Sequence, residues 1–133
     1  MNQKNIRLEV AQRAERIQSA ISELKQQISA IENLGQVAPP LTYVARYQAR
    51  GQKYRYWYYQ LKANVPIFPK SNKNKGFSRF KHLGVSGSQA HVDGVMAVAR
   101  RGQIEELTKA ISSLEESLLD LFPDEEKVGN RVE

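Results

Sequence analysis

Apolar residues near the N-terminus repeat at alternating intervals of four and three positions. The repeat consists of Val10, Ala14, Ile17, Ile21, Leu24, Ile28 and Ile31. A heptad pattern sustained over three repeats predicts a helix with a coiled-coil seam. Gly35 is a helix stop signal, and the Pro-Pro pair at 39–40 prevents the helix from resuming. We therefore predict an N-terminal coiled-coil domain over residues 1–35, with the helix itself at roughly 5–34.

The same pattern returns near the other end of the chain. It consists of Ile104, Leu107, Ile111, Leu114, Leu118 and Leu121. Pro123 ends this second heptad helix. The charged and polar composition of residues 123–133 predicts a disordered tail.

The start of the second helix has two candidate positions. Ser86 or Ser88 can act as the N-cap of a segment that continues as QAHVDGVMAVAR. Gly102 either kinks one long helix or separates two helices. We expect a short helix joined closely to the long one, and together they form a C-terminal helical segment over residues 86–122.

Between the helices, apolar and polar residues alternate with a period of two, which is typical of strands. The first predicted strand is LTYVARYQAR, and the second is KYRYWYYQLKA at 53–63. The tripeptide RGQ between them predicts a tight turn. After a polar loop with three lysines, GFSRFKHLG at 76–84 is the third strand. These segments predict a basic, antiparallel β-meander over residues 41–84.

The predicted fold class is therefore α+β, with a heptad helix on each side of a three-stranded antiparallel meander. The sheet brings the chain back, so the two helices can form an antiparallel coiled coil within one chain. Alternatively, they pair between two chains as a dimeric bundle, which buries more apolar surface than two helices alone. The sequence leaves both arrangements open.

The composition of the 133-residue chain excludes several classes of chemistry. There is no cysteine, which rules out disulfides, thiolate zinc sites and cysteine nucleophiles. No apolar run reaches the roughly 18–20 residues that cross a bilayer, and the first residues lack the order of a secretory signal. We therefore expect a cytoplasmic protein that has no membrane partner.

The net charge of +6 is unevenly distributed. No Asp or Glu occurs between Glu32 and Asp93, yet this stretch holds ten of the 20 lysines and arginines. A surface of one sign repels itself, and a polyanion such as nucleic acid relieves that repulsion. The predicted nucleic-acid-binding residues are Arg46, Arg50, Lys53, Arg55, Trp57, Lys70, Lys73, Lys75, Arg79 and Lys81. The three lysines of the loop are expected to act as a flexible phosphate clamp.

The aromatic residues lie in the same stretch, which contains all six tyrosines, the single tryptophan and three of the four phenylalanines. Alternation along the second strand places Tyr54, Tyr56 and Tyr58 on one face, and Arg55, Trp57 and Tyr59 on the other. One face can pack on the helices. The other face can offer stacking platforms or phosphate contacts.

The chain offers little for catalysis or for metal binding. The acid-free middle has no carboxylate pair for acid–base chemistry. The two histidines, His82 on the third strand and His91 in the first turn of the next helix, have no cysteine and no nearby acid except Asp93. The turn GVSGSQ presents backbone N–H groups that can contact phosphate, but it lacks the Gly-Lys-Ser/Thr of a phosphate loop. We expect no catalytic residue, no metal, no cofactor and no small-molecule substrate.

The segment YVARYQARGQKYRYWYYQ, followed by FSRFKHLG, resembles the arm-type and AP2-like three-stranded DNA-binding modules of integrases and other mobile-element proteins. The resemblance covers at most residues 42–100, and it is carried by the aromatic strand at 56–59, the turn at Gly51 and the strand end at 81–84. It implies a sheet that enters the major groove and reads bases with strand side chains. The residues that it assigns to this role are Arg46, Lys53, Arg55, Arg79 and Lys81. The long lysine loop and the preceding heptad helix do not belong to such modules.

Charge, aromatic content and resemblance together predict a nucleic-acid-binding protein of an accessory or regulatory kind. DNA is the first expectation and RNA the alternative. The heptad helices are expected to mediate homodimerisation. A second prediction, from a different class, is a coiled-coil adaptor protein whose basic sheet docks an acidic protein partner.

Overall fold

A computed structural model describes residues 2–51, 53–71 and 76–122. The chain divides into two compact units. We call residues 1–31 together with 104–133 the helical unit, and residues 32–103 the sheet unit. The predicted disordered tail at 123–133 lies outside the described residues.

The secondary structure consists of two long helices, one before and one after a small antiparallel sheet, which confirms the α+β class. In chain order the elements are α1 (Gln3–Leu34), β1 (Tyr43–Arg50), β2 (Arg55–Lys62), β3 (Phe68–Pro69), β4 (Phe77–Ser78), β5 (Phe80–Val85) and α2 (Gln89–Asp120). The three-stranded sheet has the order β1-β2-β5, and β3 pairs with β4 in a separate two-stranded ribbon.

Helix α1 begins two residues before the predicted start because Asn2 caps it. The Asn2 Oδ1 atom accepts a hydrogen bond from the backbone N–H of Asn5 at 2.9 Å, which satisfies a donor that has no partner within the helix. The helix ends at Leu34, as Gly35 predicts. A side chain at position 35 would meet the Arg100 guanidinium, whose Nη1 atom lies 2.7 Å from an ideal Cβ position.

Helix α2 is one continuous helix, so the prediction of a short helix joined to a long one is wrong. A glycine in a helix interior costs about 1 kcal/mol relative to alanine. The hydrogen bonds and the packing of the helical segments before and after Gly102 outweigh this cost. The N-cap is Ser88 rather than Ser86, because the Ser88 Oγ atom accepts a hydrogen bond from the backbone N–H of His91 at 3.3 Å.

In the helical unit, the heptad positions of both helices are buried or half-buried, whereas most of the positions between them are exposed. Ile21 and Ile111 are the buried residues among those described in this unit. Apolar side chains near the ends of the same helices are exposed to solvent, including Leu8 and Leu119. The heptad pattern therefore marks the sheltered side of each helix, but that side is only partly enclosed.

The β1–β2 hairpin has an unbroken register from the pair Tyr43 and Lys62 to the pair Arg50 and Arg55. The backbone N–H of Gly51 donates to the carbonyl of Tyr54 at 2.8 Å. The turn therefore extends to Tyr54, and β2 begins two residues later than the sequence predicts. Gln52 of the predicted RGQ turn lies outside the described residues.

The predicted third strand at 76–84 is divided at Arg79. Its first part, β4, pairs with β3, and its second part, β5, pairs with β2. The Ser78 Oγ atom accepts a hydrogen bond from the backbone N–H of Phe80 at 3.1 Å, which turns the chain at this point. The ribbon was not predicted because strands of two residues are too short to show an alternating pattern.

The core of the sheet unit is small and lies between the sheet and α2. Leu61, Phe68 and Leu83 are buried together, and Val98 of α2 packs against them. Leu83 has no partner in β2, because the register shifts between Tyr59 and Gln60. The helix comes very close to this residue, since a Cβ at Gly94 would lie 2.6 Å from the Leu83 Cδ1 atom.

Two arginines of α2 hold the segment that leads into β1. The Arg101 Nη1 atom donates to the carbonyl of Pro39 at 2.8 Å, to the carbonyl of Thr42 at 2.6 Å and to the Thr42 hydroxyl at 3.0 Å. Arg100 donates to the carbonyl of Gln36 at 3.1 Å. Thr42 is almost fully buried. These bonds fix the first strand relative to the first half of α2.

Candidate nucleic-acid interface

The boundary between the two units is also a boundary in charge. The sheet unit contains twelve lysines and arginines and two acids, for a net charge of +10. The helical unit contains eight lysines and arginines and twelve acids, for a net charge of −4. No acid occurs in the strands or in the segments that connect them, so the described cations of the strands form no ion pair there.

The two faces of the sheet differ in chemistry. Successive residues of a strand point to opposite faces, and cross-strand partners share a face. Leu61 and Leu83 pack against α2 and define the helix-side face. We call the opposite side the aromatic face. It consists of Tyr43, Ala45, Tyr47, Ala49, Tyr56, Tyr58, Gln60, Lys62, Phe80, His82 and Val85.

At the centre of the aromatic face, three rings from three strands form a cluster. Tyr47 and Tyr58 are stacked, with ring centroids 5.8 Å apart and planes at 23°. His82 lies 5.8 Å from the ring centroid of Tyr58, and its Nδ1 atom is 3.0 Å from the Tyr47 hydroxyl. The cluster connects β1, β2 and β5 side by side.

Around this cluster the aromatic face is open. Tyr43 is 49% exposed, Tyr56 46% and Phe80 43%. Two cations border the Phe80 ring, with the Lys62 Nζ atom 5.6 Å and the Arg79 Cζ atom 5.9 Å from the ring centroid. Distances of this size permit cation–π attraction. The face thus presents exposed rings with positive charge at one end.

The arginines of β1 and β2 lie on the helix-side face, toward the hairpin turn. His91 of α2 stacks on Tyr59 with ring centroids 3.7 Å apart. From Tyr59 toward the turn, the side chains on this face are exposed. There the Arg46 guanidinium lies over the Trp57 ring, 4.1 Å from its centroid. This distance permits cation–π attraction, which restrains the Arg46 side chain over the ring.

Arg50 and Arg55 face each other at the end of the hairpin. Both are exposed, and like charges directly opposite one another destabilise a sheet. The pair is therefore a local cost to the fold. An anion placed between the two guanidinium groups would remove that cost.

The other predicted binding residues are distributed over the sheet unit. Lys53 lies in the hairpin turn, and Lys81 lies opposite Leu61 on the edge strand β5. Lys70 follows β3, and its backbone N–H donates to the carbonyl of Gly76 at 2.9 Å, which closes the base of the lysine loop. The other two members of the predicted clamp, Lys73 and Lys75, lie outside the described residues.

The structure places most of the residues that the family resemblance groups for base reading on the helix-side face. Arg46 and Arg55 lie there, Lys81 shares that face because it pairs with Leu61, and Arg79 lies between β4 and β5. The face of the sheet away from α2 carries tyrosines instead of these arginines. A sheet that entered a groove with its open face would therefore not bring Arg46 and Arg55 to the base edges.

The turn between β5 and α2 uses several of its backbone groups internally. The N–H of Gly87 donates to the His91 Nδ1 atom at 3.0 Å, and the N–H of Ser88 donates to the carbonyl of Val85 at 3.0 Å. The Ser88 hydroxyl donates to the carbonyl of Leu83 at 3.1 Å. These N–H groups are therefore engaged within the protein rather than directed at an anion.

Sequence reasoning on charge missed most of the aromatic face. Tyr43, Tyr47 and Phe80 were not among the predicted binding residues, because the sequence left open which face of the sheet packs on the helices. The alternation of Tyr43 and Tyr47 along β1 was visible in the sequence. The register with β2, which shows that these tyrosines point away from α2, was not.

The described residues contain no group of three or more His, Asp or Glu side chains that could hold a metal ion. No helix among them is long and apolar enough to cross a membrane. No family model, curated protein or solved structure matches the chain.

Proposed function

We propose that this protein binds nucleic acid through its sheet unit. The observation that carries the proposal is the coincidence of charge and structure: the unit with a net charge of +10 is the unit that contains the sheet. Nucleic acid is the polyanion that such a surface attracts most strongly, because each phosphate neutralised by Lys or Arg releases condensed counterions.

In this proposal the hairpin arginines contact phosphates. Arg46 is held on Trp57, and Arg50 and Arg55 form an exposed like-charge pair. The lysine loop, which begins at Lys70, supplies further phosphate contacts. Contacts of this kind give affinity without reading sequence.

A salt titration of binding tests the proposal. Fluorescently labelled single-stranded DNA, duplex DNA and RNA of the same length are titrated with the full chain, and Kd is measured by anisotropy at several salt concentrations. We expect log Kd to rise linearly with log salt, with a slope of about 0.9 per phosphate contacted on duplex DNA and about 0.7 on single strands. Absence of binding to all three ligands at low salt refutes the proposal.

A variant of the like-charge pair gives a sharper test, because binding and stability should respond in opposite directions. Arg50→Gln should weaken binding and lower the salt slope by about one contact. It should also raise the stability of the sheet by roughly 0.2–1 kcal/mol, because it removes the repulsion with Arg55. Arg13→Gln is the matched control, since it removes the same charge from an exposed position on α1. Equal affinity losses in both variants would show that only total charge matters.

We further propose that the helical unit forms a homodimer. Only Ile21 and Ile111 among the described residues of that unit are buried, while the other heptad residues are half-buried. A second copy would enclose the heptad faces as a four-helix bundle, which buries more apolar surface. Two joined sheet units would also bind one nucleic-acid strand with higher avidity than one.

Protein interaction is the second candidate function, and a row of apolar side chains on α2 favours it. Val92, Val95 and Met96 are exposed at helical spacing. In this alternative the basic sheet docks an acidic protein. Competition distinguishes the two functions: an acidic polypeptide such as polyglutamate should displace an oligonucleotide of equal charge only weakly if nucleic acid is the ligand. Equally effective displacement would favour the acidic protein.

A further inference from the structure

We propose that the aromatic face is a stacking platform for unpaired nucleobases, and that the preferred ligand is single-stranded rather than duplex nucleic acid. This inference rests on the proposed nucleic-acid binding and specifies which face meets the bases. Among the described residues, the face carries five aromatic rings and a histidine, and Lys62 is the one lysine or arginine on it. Unpaired bases stack on such rings whatever their sequence.

The polar content of the face argues against duplex recognition. Base edges in the major groove are read mainly by arginine, lysine, asparagine and glutamine. On the aromatic face only Gln60 and Lys62 belong to these types, and both are half-buried. The three arginines of β1 and β2 lie on the opposite face. The aromatic face can therefore stack on the plane of a base, but it carries few groups that hydrogen-bond to a base edge.

The exposure of the rings and the charge around them indicate which ligand covers the aromatic face. Aromatic surface left open to water is costly, and a partner that covers it recovers that cost. An apolar protein surface would cover the rings but would leave the acid-free surroundings uncompensated. A single strand satisfies both features, because its bases cover Tyr43, Tyr56 and Phe80 while its phosphates meet Lys62 and Arg79 beside the Phe80 ring.

The central ring cluster supports this role by holding the platform in place. Tyr47 and Tyr58 are stacked on each other, and the Tyr47 hydroxyl is within hydrogen-bond distance of His82. Rings that are already positioned lose little conformational entropy when a base stacks on them. The exposed rings at Tyr43, Tyr56 and Phe80 then extend the platform from this fixed centre along the strands.

The experiment compares four labelled ligands on the full chain at one salt concentration: oligo(dT), oligo(U), a duplex, and an abasic DNA strand of the same length. Strands of about 20 nucleotides exceed the ~4–16 nucleotides that one OB-fold domain covers. We expect oligo(dT) or oligo(U) to bind at least about tenfold more tightly than the abasic strand, because stacking is worth about 5- to 150-fold per base. The order of oligo(dT) and oligo(U) distinguishes DNA from RNA as the source of the bases. Equal affinity for the normal and the abasic strand overturns the inference but leaves the nucleic-acid proposal standing.

Neighbouring residues on opposite faces provide matched variants. Tyr56→Leu should weaken single-strand binding about 5- to 150-fold and leave duplex binding unchanged, because only a single strand stacks on this face. Tyr56→Phe keeps the ring and should restore affinity. Phe122→Leu, which removes an exposed ring of the helical unit, is the control. A larger loss of single-strand preference in Trp57→Leu than in Tyr56→Leu would place the bases on the helix-side face and overturn the inference.

Discussion

The close contact between α2 and β5 makes two glycines of the same helix respond in opposite ways to alanine. A Cβ at Gly102 meets nothing within 4 Å, whereas a Cβ at Gly94 lies 2.6 Å from the Leu83 Cδ1 atom and 3.2 Å from its Cδ2 atom. Both glycines lie in the sheet unit and in the helix interior. The difference in stability between the two alanine variants therefore measures how closely α2 packs on the sheet.

The magnitudes follow from two opposing terms. Replacing a helix-interior glycine by alanine gains about 0.8–1 kcal/mol in helix propensity. At Gly102 this gain stands alone, so we expect Gly102→Ala to raise the free energy of unfolding by about 1 kcal/mol. At Gly94 the new methyl must displace Leu83 by roughly 1 Å to reach an ordinary carbon–carbon distance of about 3.5–4.0 Å. Leu83 is buried against Leu61 and Phe68, and overpacking of this kind costs about 1–3 kcal/mol. We expect Gly94→Ala to be destabilising by about 1 kcal/mol.

Urea denaturation measures both variants, followed by far-UV circular dichroism and by the emission of Trp57 in the sheet unit. Leu83→Ala provides the third corner of a double-mutant cycle. It is destabilising by itself, by about 2–5 kcal/mol, but it removes the atoms that the new methyl meets. In that background Gly94→Ala should become as favourable as Gly102→Ala, with a coupling of about 1–3 kcal/mol. If Gly94→Ala stabilises the wild-type chain as much as Gly102→Ala does, the close approach of α2 to β5 is wrong.

Three further changes test the arginine bonds to the segment before β1, the N-cap of α2 and the heptad seam. Arg101→Lys should lower the free energy of unfolding by about 2 kcal/mol, because the lysine nitrogen ends one bond short of the Nη1 position and leaves a buried carbonyl unpaired. Arg100→Lys, which loses a single exposed bond, should cost less in the same urea titration. Ser88→Ala should cost about 1–2 kcal/mol through loss of the N-cap and of the bond to the Leu83 carbonyl, and an unchanged denaturation midpoint would contradict the assigned cap. Ile21→Asp should lower the mass measured by light scattering at equal protein concentration, whereas Gln27→Asp on the exposed side of α1 should not; a wild-type chain that is monomeric at all concentrations refutes the dimer.

Much of the fold was predictable because its signals are local. The heptads and Gly35 determined α1 almost to the residue, and the period of two along residues 43–62 determined the hairpin. The errors arose where a local signal was weak or was outweighed by packing. Gly102 is a helix breaker by propensity, yet α2 continues through it. The β3–β4 ribbon is too short to leave a pattern in the sequence.

The candidate site was predicted in composition but not in geometry. The sequence identified a basic, aromatic and acid-free segment, and charge summed over a segment does not depend on folding. It could not assign each residue to a face, because alternation defines two sets without saying which one packs on a helix. The contact of Leu61 and Leu83 with α2 settles that question and places Tyr47 and Tyr58 outward.

The sequence by itself therefore determined the α+β class, the heptad helices and the concentration of positive charge in the middle of the chain, since periodicity and composition are properties of neighbouring residues. Only the tertiary structure decided that the charge boundary coincides with a structural boundary, that the hairpin arginines lie on the side of α2, and that the tyrosines form an open face. These properties depend on strand register and on helix packing, and both are fixed by contacts between residues distant in the chain.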